Sequence, residues 1–185
     1  MTIGIGITGA SGSLYARRLI SILKDVPSTT IRCMFSDTGK RVFEFETDTP
    51  YESIAEKNVR IDDNSDLSTP YVSGSSVLDA MVIVPCSMNT LARIASGISG
   101  TLMTRAADVV LKERRRLILA VRESPYSLTH IRNMEAITLA GGIILPASPG
   151  YYLKPDTIEE LADTVVYRII DQLGITIPHP RYGEM

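Results

Sequence analysis

Three charged residues fall on one face of a helix predicted over residues 101–114. Arg105, Asp108 and Lys112 stand at i, i+3 and i+7, so their side chains project from the same side. Asp108 also precedes Lys112 in the favourable i,i+4 order for an ion pair. The face has one net positive charge and could bind an anion, although such a pattern, taken alone, more often marks a solvated surface with weak ion pairs.

An arginine and a glutamate follow the next predicted strand. Residues 117–121 are a continuous apolar run, typical of a parallel strand covered on both faces, and Arg122 and Glu123 come directly after it. Open α/β sheets bind their ligands at the carboxyl ends of the strands. We therefore expect Arg122 and Glu123 to lie where an anionic ligand is held.

The first strand leads into a turn of small residues. Residues 8–13 read T-G-A-S-G-S, and their backbone N–H groups, at the start of a helix, favour a phosphate. The hydroxyls of Thr8, Ser11 and Ser13 strengthen this interpretation over tight packing alone. Residues 4–9 match G-x-G-x-x-G, but the first two glycines lie inside the strand, which is the wrong register for a dinucleotide site.

Two further predicted strands also end in hydroxyl residues. Ser36 follows the second strand, and the turn Ser87, Met88, Asn89 and Thr90 follows the strand at 80–84. Any one hydroxyl could simply cap a helix N-terminus. Convergence on one sheet edge would instead give a pocket of neutral donors, which suits a phosphate and a flat, neutral heterocycle.

Glu46 stands at the C-terminal end of a helix predicted over residues 38–46. The helix dipole disfavours a carboxylate at that end, so its presence suggests a functional role. An exposed acid at the end of a helix is the alternative interpretation.

No metal site is predicted. Residues 62–66 (DDNSD) match the D-D-x-x-D pattern with which helical prenyltransferases bind magnesium, but here the pattern lies in a polar loop and predicts a solvated turn. The two cysteines (Cys33 and Cys86) and the two histidines (His130 and His179) lack metal-ligand spacing.

Composition narrows the class of protein. The chain has 185 residues and a mass of 20.2 kDa, the size of one domain, with 44% hydrophobic residues. A net charge of −2 and a pI near 5.7 predict no nucleic-acid partner, and no apolar run is long enough for a membrane span. The chain begins without a basic leader and has few cysteines, which predicts a cytoplasmic location with reduced thiols.

Short apolar runs alternate with helical periodicity, which predicts an α/β fold with a parallel sheet. The predicted strands are 3–8, 30–35, 80–84, 117–121 and 142–145, and the predicted helices are 12–25, 38–46, 51–57, 88–98, 101–114, 126–140 and 156–173. Five or six strands with helices on both faces make a three-layer doubly wound, Rossmann-like single domain over residues 1–174. We expect residues 62–76 to form one long loop and the tail, residues 175–185, to pack on the domain or on a neighbouring subunit.

Eight short motifs, in this order along the chain, resemble those of the flavin prenyltransferase (UbiX) family. They are residues 8–12 (TGASG), 46–48 (ETD), 73–76 (SGSS), 85–87 (PCS), 105–108 (RAAD), 111–115 (LKERR), 122–123 (RE) and 145–147 (LPA). The resemblance implies a Rossmann-like flavoprotein that joins reduced FMN to dimethylallyl monophosphate without a metal. The product, prenylated FMN, would serve a UbiD-type decarboxylase, and the family implies a homododecamer with sites at subunit interfaces.

The resemblance also implies roles for individual residues. FMN would contact Gly9, Ala10, Ser11, Ser36, Ser87, Met88, Asn89, Thr90 and Arg122. The prenyl phosphate would contact Arg105, Lys112, Arg122, Glu123, Tyr152 and Arg168. Glu46 and Ser11 would assist proton transfers, and Tyr15, Tyr151 and Tyr152 could help to hold an allyl cation.

The chain departs from the family pattern in its aromatic residues. It has no tryptophan, whereas some relatives place one beside the isoprenoid and another in the tail, where Tyr182 would stand in.

Three alternative functions were weighed against prenyl transfer. An FMN-dependent cysteine decarboxylase of the same superfamily would place a histidine within residues 36–50, and this chain has none there. A passive FMN carrier would not need the Lys112, Arg122 and Arg168 cations. A nicotinamide-binding domain with Asp37 at the ribose is disfavoured by the register of the glycines.

Overall fold

Strands and helices alternate along a computed structural model that describes residues 1–181 and residue 183. The strands are β1 (Thr2–Ile7), β2 (Thr30–Phe35), β3 (Val59–Asp62), β4 (Ala80–Cys86), β5 (Arg116–Val121) and β6 (Ile143–Pro146). The α-helices are α1 (Ser13–Leu23), α2 (Asp37–Thr47), α3 (Met88–Ala95), α4 (Leu102–Lys112), α5 (Leu128–Leu139) and α6 (Ile158–Leu173). Short 3-10 helices lie at Tyr51–Ile54 and Pro70–Val72.

The strands pair in parallel, in the order β3-β2-β1-β4-β5-β6. Because β1 lies between β2 and β4, the chain winds outward in both directions from β1, and the carboxyl ends of β1 and β4 flank the topological switch point. One core cluster packs α1, α2 and α6 on one face of the sheet, and a second packs α3, α4 and α5 on the other. The prediction of a three-layer doubly wound fold is therefore confirmed.

The sheet is apolar because both of its faces are covered. All seven residues of β4 are buried: Val82 and Val84 face the first cluster, while Met81 and Ile83 face the second. In β1, a Cβ at Gly6 would lie 3.0 Å from Met103 Sδ of α4. The glycines inside β1 thus allow neighbouring side chains to pack closely against the strand. This agrees with their register in the sequence, which is wrong for a dinucleotide site.

Two sequence predictions were wrong in detail. The helix expected over residues 51–57 is a single 3-10 turn at Tyr51–Ile54. Strand β3 was not identified because it has only four residues, V-R-I-D, two of them charged. It is tied to β2 by Arg32, whose Nε donates to Asp62 at 2.8 Å, so the first aspartate of the DDNSD pattern belongs to a strand, not to a solvated turn.

The segment after α6 folds back onto the domain. Ile175 and Ile177 pack against the core cluster of α1 and α6. The division at residue 174 stays a prediction, and Tyr182 lies outside the described residues. Among the helices formed by residues 1–181, none combines the length and apolar character that a membrane span requires.

Candidate functional site

Thr8 joins the two strands that flank the switch point. Its Oγ1 donates to the carbonyl of Pro85 at 2.7 Å and accepts from the backbone N–H of Ser87 at 2.9 Å. The turns after β1 and β4 are thereby held together, and the hydroxyl hydrogen of Thr8 is used within the protein.

Three helix N-termini meet beside this junction, at what we call the switch-point cavity. The cavity has a volume of about 410 Å³ and is lined by Gly9 together with first-turn and capping residues of α2, α3 and α4. Each helix is capped by a hydroxyl oxygen, from Ser36, Ser87 and Thr101, that accepts a backbone N–H three residues ahead. The hydroxyl residues therefore cap the helices and also lie at a pocket. The three positive helix ends favour an anion in that pocket.

The sequence analysis did not single out several lining residues, of which Arg93 and Asn64 make notable contacts. Arg93, on α3, places a cation at the cavity and donates from Nε to Asn89 Oδ1 at 3.2 Å. Asn64 accepts the N–H of Met103 at 2.9 Å and so fastens the 63–69 loop to the start of α4. The capping box formed by Thr101 and Thr104 could have been recognised in the sequence as the start of α4. No local sequence pattern marks Arg93 or Asn64.

Two glycines allow α2 to approach β1 at the cavity. A Cβ at Gly9 would overlap the Thr38 side chain, and a Cβ at Gly39 would overlap the Ile7 carbonyl oxygen. Both positions require close backbone approach rather than an unusual φ.

Most predicted FMN residues lie around this cavity. Gly9, Ser36, Ser87, Asn89 and Thr90 line it. The side chain of Met88 is buried in the core, and Ala10 is also buried. Ser11 and Arg122 lie farther along the same sheet edge, where Arg122 Nε donates to the Ser11 carbonyl at 3.1 Å.

Glu46 reaches across from α2 to the start of α1. Its Oε2 accepts backbone N–H groups from Gly12 at 2.9 Å and Ser13 at 2.7 Å. The unfavourable position of the acid at the end of α2 is thus offset by the positive end of α1. These two N–H groups, which the sequence suggested for a phosphate, are occupied by a carboxylate of the same chain.

The surroundings of Glu46 favour its ionised form. Partial burial alone would raise the pKa of Glu46, but hydrogen bonds from the Ser11 hydroxyl and from the N–H groups of Ser13 and Gly12 outweigh burial and hold the pKa below its ordinary value. Glu46 is therefore a carboxylate at neutral pH and can accept a proton through Ser11.

Two tyrosines, Tyr15 and Tyr151, lie within electrostatic range of Arg122 or of each other. Burial and the nearby Tyr151 raise the pKa of Tyr15, and Arg122 opposes this effect, so these three residues share one environment. Glu123 is exposed and accepts the N–H of Ser124 at 3.0 Å. The environment combines a cation with aromatic side chains.

Tyr152 and Arg168 come together at α6. They share a cavity of about 430 Å³ beside β6 and a neighbouring cavity of about 320 Å³ that reaches the segment after α6. We call the second of these the tail cavity. Arg168 also donates to Asp171 at 2.9 Å.

Lys112 is not brought to this edge within the chain, whereas Arg105 directly follows Thr104 of the switch-point cavity. Lys112 stands four residues before β5 and Arg122 directly after it, and six strand residues span about 20 Å. Lys112 forms an ion pair with Glu113, not with Asp108 as its spacing suggested, because the carboxylate of Asp108 is engaged by Arg105 at 3.0 Å. Arg105 Nε also donates to the Val72 carbonyl at 3.2 Å.

In the described part of the chain, the cysteines and the other possible metal ligands form no metal site. Cys33 and Cys86 are free and buried, and burial raises the pKa of Cys86 to about 12 and that of Cys33 further. Within residues 1–181 and 183, no three His, Cys, Asp or Glu side chains are grouped so as to hold a metal ion.

The chain is similar to known proteins over nearly its whole length. The sequence profile of the Flavoprotein family matches residues 1–170. The chain is 43% identical to the flavin prenyltransferase UbiX of Thermoplasma acidophilum, over 95% of this chain and 96% of that protein.

Two solved structures are also similar. A crystal structure of AnUbiX (PadA1) in complex with FMN and dimethylallyl pyrophosphate matches with a TM-score of 0.89 and 37% identity, covering 94% of this chain and 92% of that one. A dodecameric FMN-dependent UbiX-like decarboxylase from Escherichia coli O157:H7 matches with a TM-score of 0.93 and 34% identity over 100% of both chains. The chain therefore belongs to the flavin prenyltransferase (UbiX) family of flavoproteins.

Proposed function

We propose that this protein joins the dimethylallyl group of dimethylallyl monophosphate to reduced FMN, forming bonds at flavin N5 and C6. The product is prenylated FMN for a UbiD-type decarboxylase. The observation that carries the proposal is the Glu46 carboxylate, which accepts the backbone N–H groups of Gly12 and Ser13 next to the Ser11 carbonyl that Arg122 binds. That arrangement supplies a base next to a cation that two anionic substrates can share.

FMN fits the switch-point cavity as the acceptor substrate. Its phosphate would meet three helix N-termini, the hydroxyls of Ser36, Ser87 and Thr90, and the guanidinium of Arg93. A serine oxygen that accepts a capping N–H keeps its own hydrogen to donate. The Ser87 and Thr90 hydroxyls lie 3.1 Å apart and use one hydrogen between them, which leaves the other for the ligand. The reduced flavin supplies the nucleophile, and Gly9, Ala10 and Ser11 lead from the phosphate end toward Arg122.

The donor phosphate would be bound by Arg122, Tyr152 and Arg168, with Glu123 at the rim. A monophosphate is a poor leaving group, and fixed guanidinium groups would stabilise the charge that develops as the allylic C–O bond breaks. The proposal therefore requires no metal ion. Tyr15 and Tyr151 would face the allyl group beside Arg122.

Proton transfer would fall to Glu46 and Ser11. As an ionised carboxylate with a lowered pKa, Glu46 acts as an acceptor, and the Ser11 hydroxyl between it and the ligand carries the proton. The released phosphate is a further base within the same site.

Lys112 would come from a neighbouring subunit of a homododecamer. It lies about 20 Å from Arg122 within one chain, and α5 exposes the apolar side chains of Leu128, Ile131 and Leu139. Mixed assemblies of Lys112→Ala and Glu46→Gln subunits would then recover part of the activity, since some sites receive both native residues. No recovery in assemblies shown to be mixed would contradict the contribution of Lys112 from a neighbouring subunit.

The function is tested by phosphate release under anaerobic conditions. We expect inorganic phosphate to appear only when reduced FMN and dimethylallyl phosphate are both present, because departure of the phosphate needs the flavin nucleophile. Release without FMN would indicate a phosphatase, and absence of release with all components would exclude the transfer. We also propose that the reaction is cytoplasmic, where the two buried cysteines stay reduced.

A further inference from the structure

One carboxylate on α6 binds two arginines from different parts of the chain. Asp171 Oδ2 accepts from Arg168 Nη1 at 2.9 Å, and Oδ1 accepts from Arg181 Nη2 at 2.9 Å. Arg168 lies one helical turn before Asp171, whereas Arg181 belongs to the segment after the helix. The carboxylate thus fixes the end of that segment beside Arg168.

A histidine holds the same segment in place. The imidazole of His179 has only 4% of its side chain exposed, lies 3.1 Å from Asp171 Oδ1 and stacks on the Tyr167 ring with centroids 4.7 Å apart. The position of Arg181 is therefore set by a packed neighbour as well as by its own ion pair.

The charges at Asp171 favour binding of an anion. Burial alone would raise the pKa of Asp171, but hydrogen bonds from His179 and Arg181 outweigh burial and hold the pKa below its ordinary value, so the carboxylate is ionised. Two adjacent guanidinium groups repel each other, and a shared carboxylate offsets that repulsion. With one negative charge against two positive charges, the group still attracts an anion.

Both arginines line the tail cavity together with Tyr152. Tyr152 and Arg168 are the residues assigned above to the donor phosphate. Arg181 adds a second guanidinium on the same cavity, and planar guanidinium groups match the oxygens of a phosphate.

We propose that Arg181 is a further binding residue for the phosphate group of the prenyl donor and that Asp171 is a positioning residue that holds Arg168 and Arg181 side by side. The assignment to the donor rests on the function proposed above. The segment 175–181 is then part of the substrate site and not merely a cover for α6.

Isothermal titration of the FMN-loaded protein with inorganic phosphate and with pyrophosphate tests this proposal. We expect Arg181→Gln to raise the dissociation constant about tenfold or more, as loss of one charge-assisted hydrogen bond predicts, and Arg181→Lys to raise it less. The matched control is Arg60→Gln, the same change at an exposed arginine of β3 that does not line this cavity, and it should leave the constant unchanged. An unchanged constant in Arg181→Gln, or no phosphate binding by the native protein, would overturn the proposal.

The Asp171→Asn variant tests whether Asp171 positions the two arginines or competes with phosphate for them. If Asp171 holds the two arginines in place, its loss weakens phosphate binding although the site gains positive charge. If Asp171 merely competes with the ligand, phosphate binds more tightly, and the positioning role is wrong. Should this variant fail to fold, Arg181→Gln still decides the assignment of Arg181.

The role of Arg181 and the proposed enzyme function can be rejected separately. With donor and reduced FMN, we expect Arg181→Gln to raise KM for the donor severalfold while FMN binding is unchanged. Normal product formation with unchanged KM and unchanged phosphate affinity would reject the role of Arg181 and leave the enzyme function intact. No product from the native protein, with phosphate affinity that still depends on Arg181, would reject the function and leave an anion site.

Discussion

The carboxylate of Glu46, in the last turn of α2, accepts a 2.7 Å hydrogen bond from the backbone N–H of Ser13, in the first turn of α1. This contact turns an acid at the unfavourable end of one helix into an N-terminal partner of another. It also fixes the turn that carries Ser11 beside Arg122. The Glu46 side chain therefore both stabilises the start of α1 and acts as the base in the proposed reaction.

Replacing Glu46 by Gln should slow prenyl transfer by about a hundredfold or more, since the base is lost while the amide oxygen can still accept the two N–H groups. FMN should stay bound. Glu44→Gln, the same change on an exposed residue of the same helix, is the control and should keep native turnover. Turnover and bound flavin are measured together, and loss of FMN from Glu46→Gln would show a structural role instead.

The stability conferred by Glu46 should depend on pH. Because its folded-state pKa is lowered, the contribution is present above the unfolded-state pKa and is lost as pH falls through the folded-state pKa. The difference in unfolding free energy between the native protein and Glu46→Gln should thus be largest near pH 7 and shrink below about pH 4. Urea unfolding at a series of pH values measures it, and a constant difference would refute the ionised cap.

Gly39→Ala should destabilise the protein by about 1–3 kcal/mol and weaken FMN binding, because the added Cβ overlaps the Ile7 carbonyl oxygen and pushes the start of α2 away from β1. Gly100→Ala is the matched control, since a Cβ there meets nothing within 4 Å. Denaturant unfolding compares the two variants. Equal stability of both would contradict the close approach at Gly39.

Asp163→Ala should cost about 3 kcal/mol, since it leaves Arg18 without a carboxylate that it binds through two bonds of 2.7 and 2.6 Å. The side chain of Asp163 is 8% exposed, so water cannot replace it fully. On the same helix, Glu159→Ala removes a half-exposed pair with Arg17 and should cost below about 1 kcal/mol. Similar losses in both variants would contradict the buried α1–α6 link.

Local sequence signals predicted the layers and the sheet edge. Strands such as β4 and β5 are buried on both faces and read as apolar runs, and the residues that follow them must meet at one edge. This explains why Ser36, Ser87, Arg122 and the first turn were found. The short, charged β3 carries no such run and escaped notice.

Long-range partners could not be read from the sequence. Glu46 binds N–H groups 33 and 34 positions earlier, and Asn64 caps a helix 39 positions later, so neither contact leaves a local pattern. The spacing of Lys112 suggested a partner in Asp108, yet Arg105 holds that carboxylate. Competition among nearby charges depends on which side chains packing brings within reach.

The mass of the flavin after anaerobic incubation with the purified protein, reduced FMN and dimethylallyl phosphate tests the central claim most directly. Formation of bonds at N5 and C6 predicts a flavin heavier by one five-carbon prenyl unit, released together with inorganic phosphate. A flavin of unchanged mass with both dimethylallyl phosphate and dimethylallyl diphosphate, while FMN remains bound, would contradict prenyl transfer and leave a protein that only binds FMN.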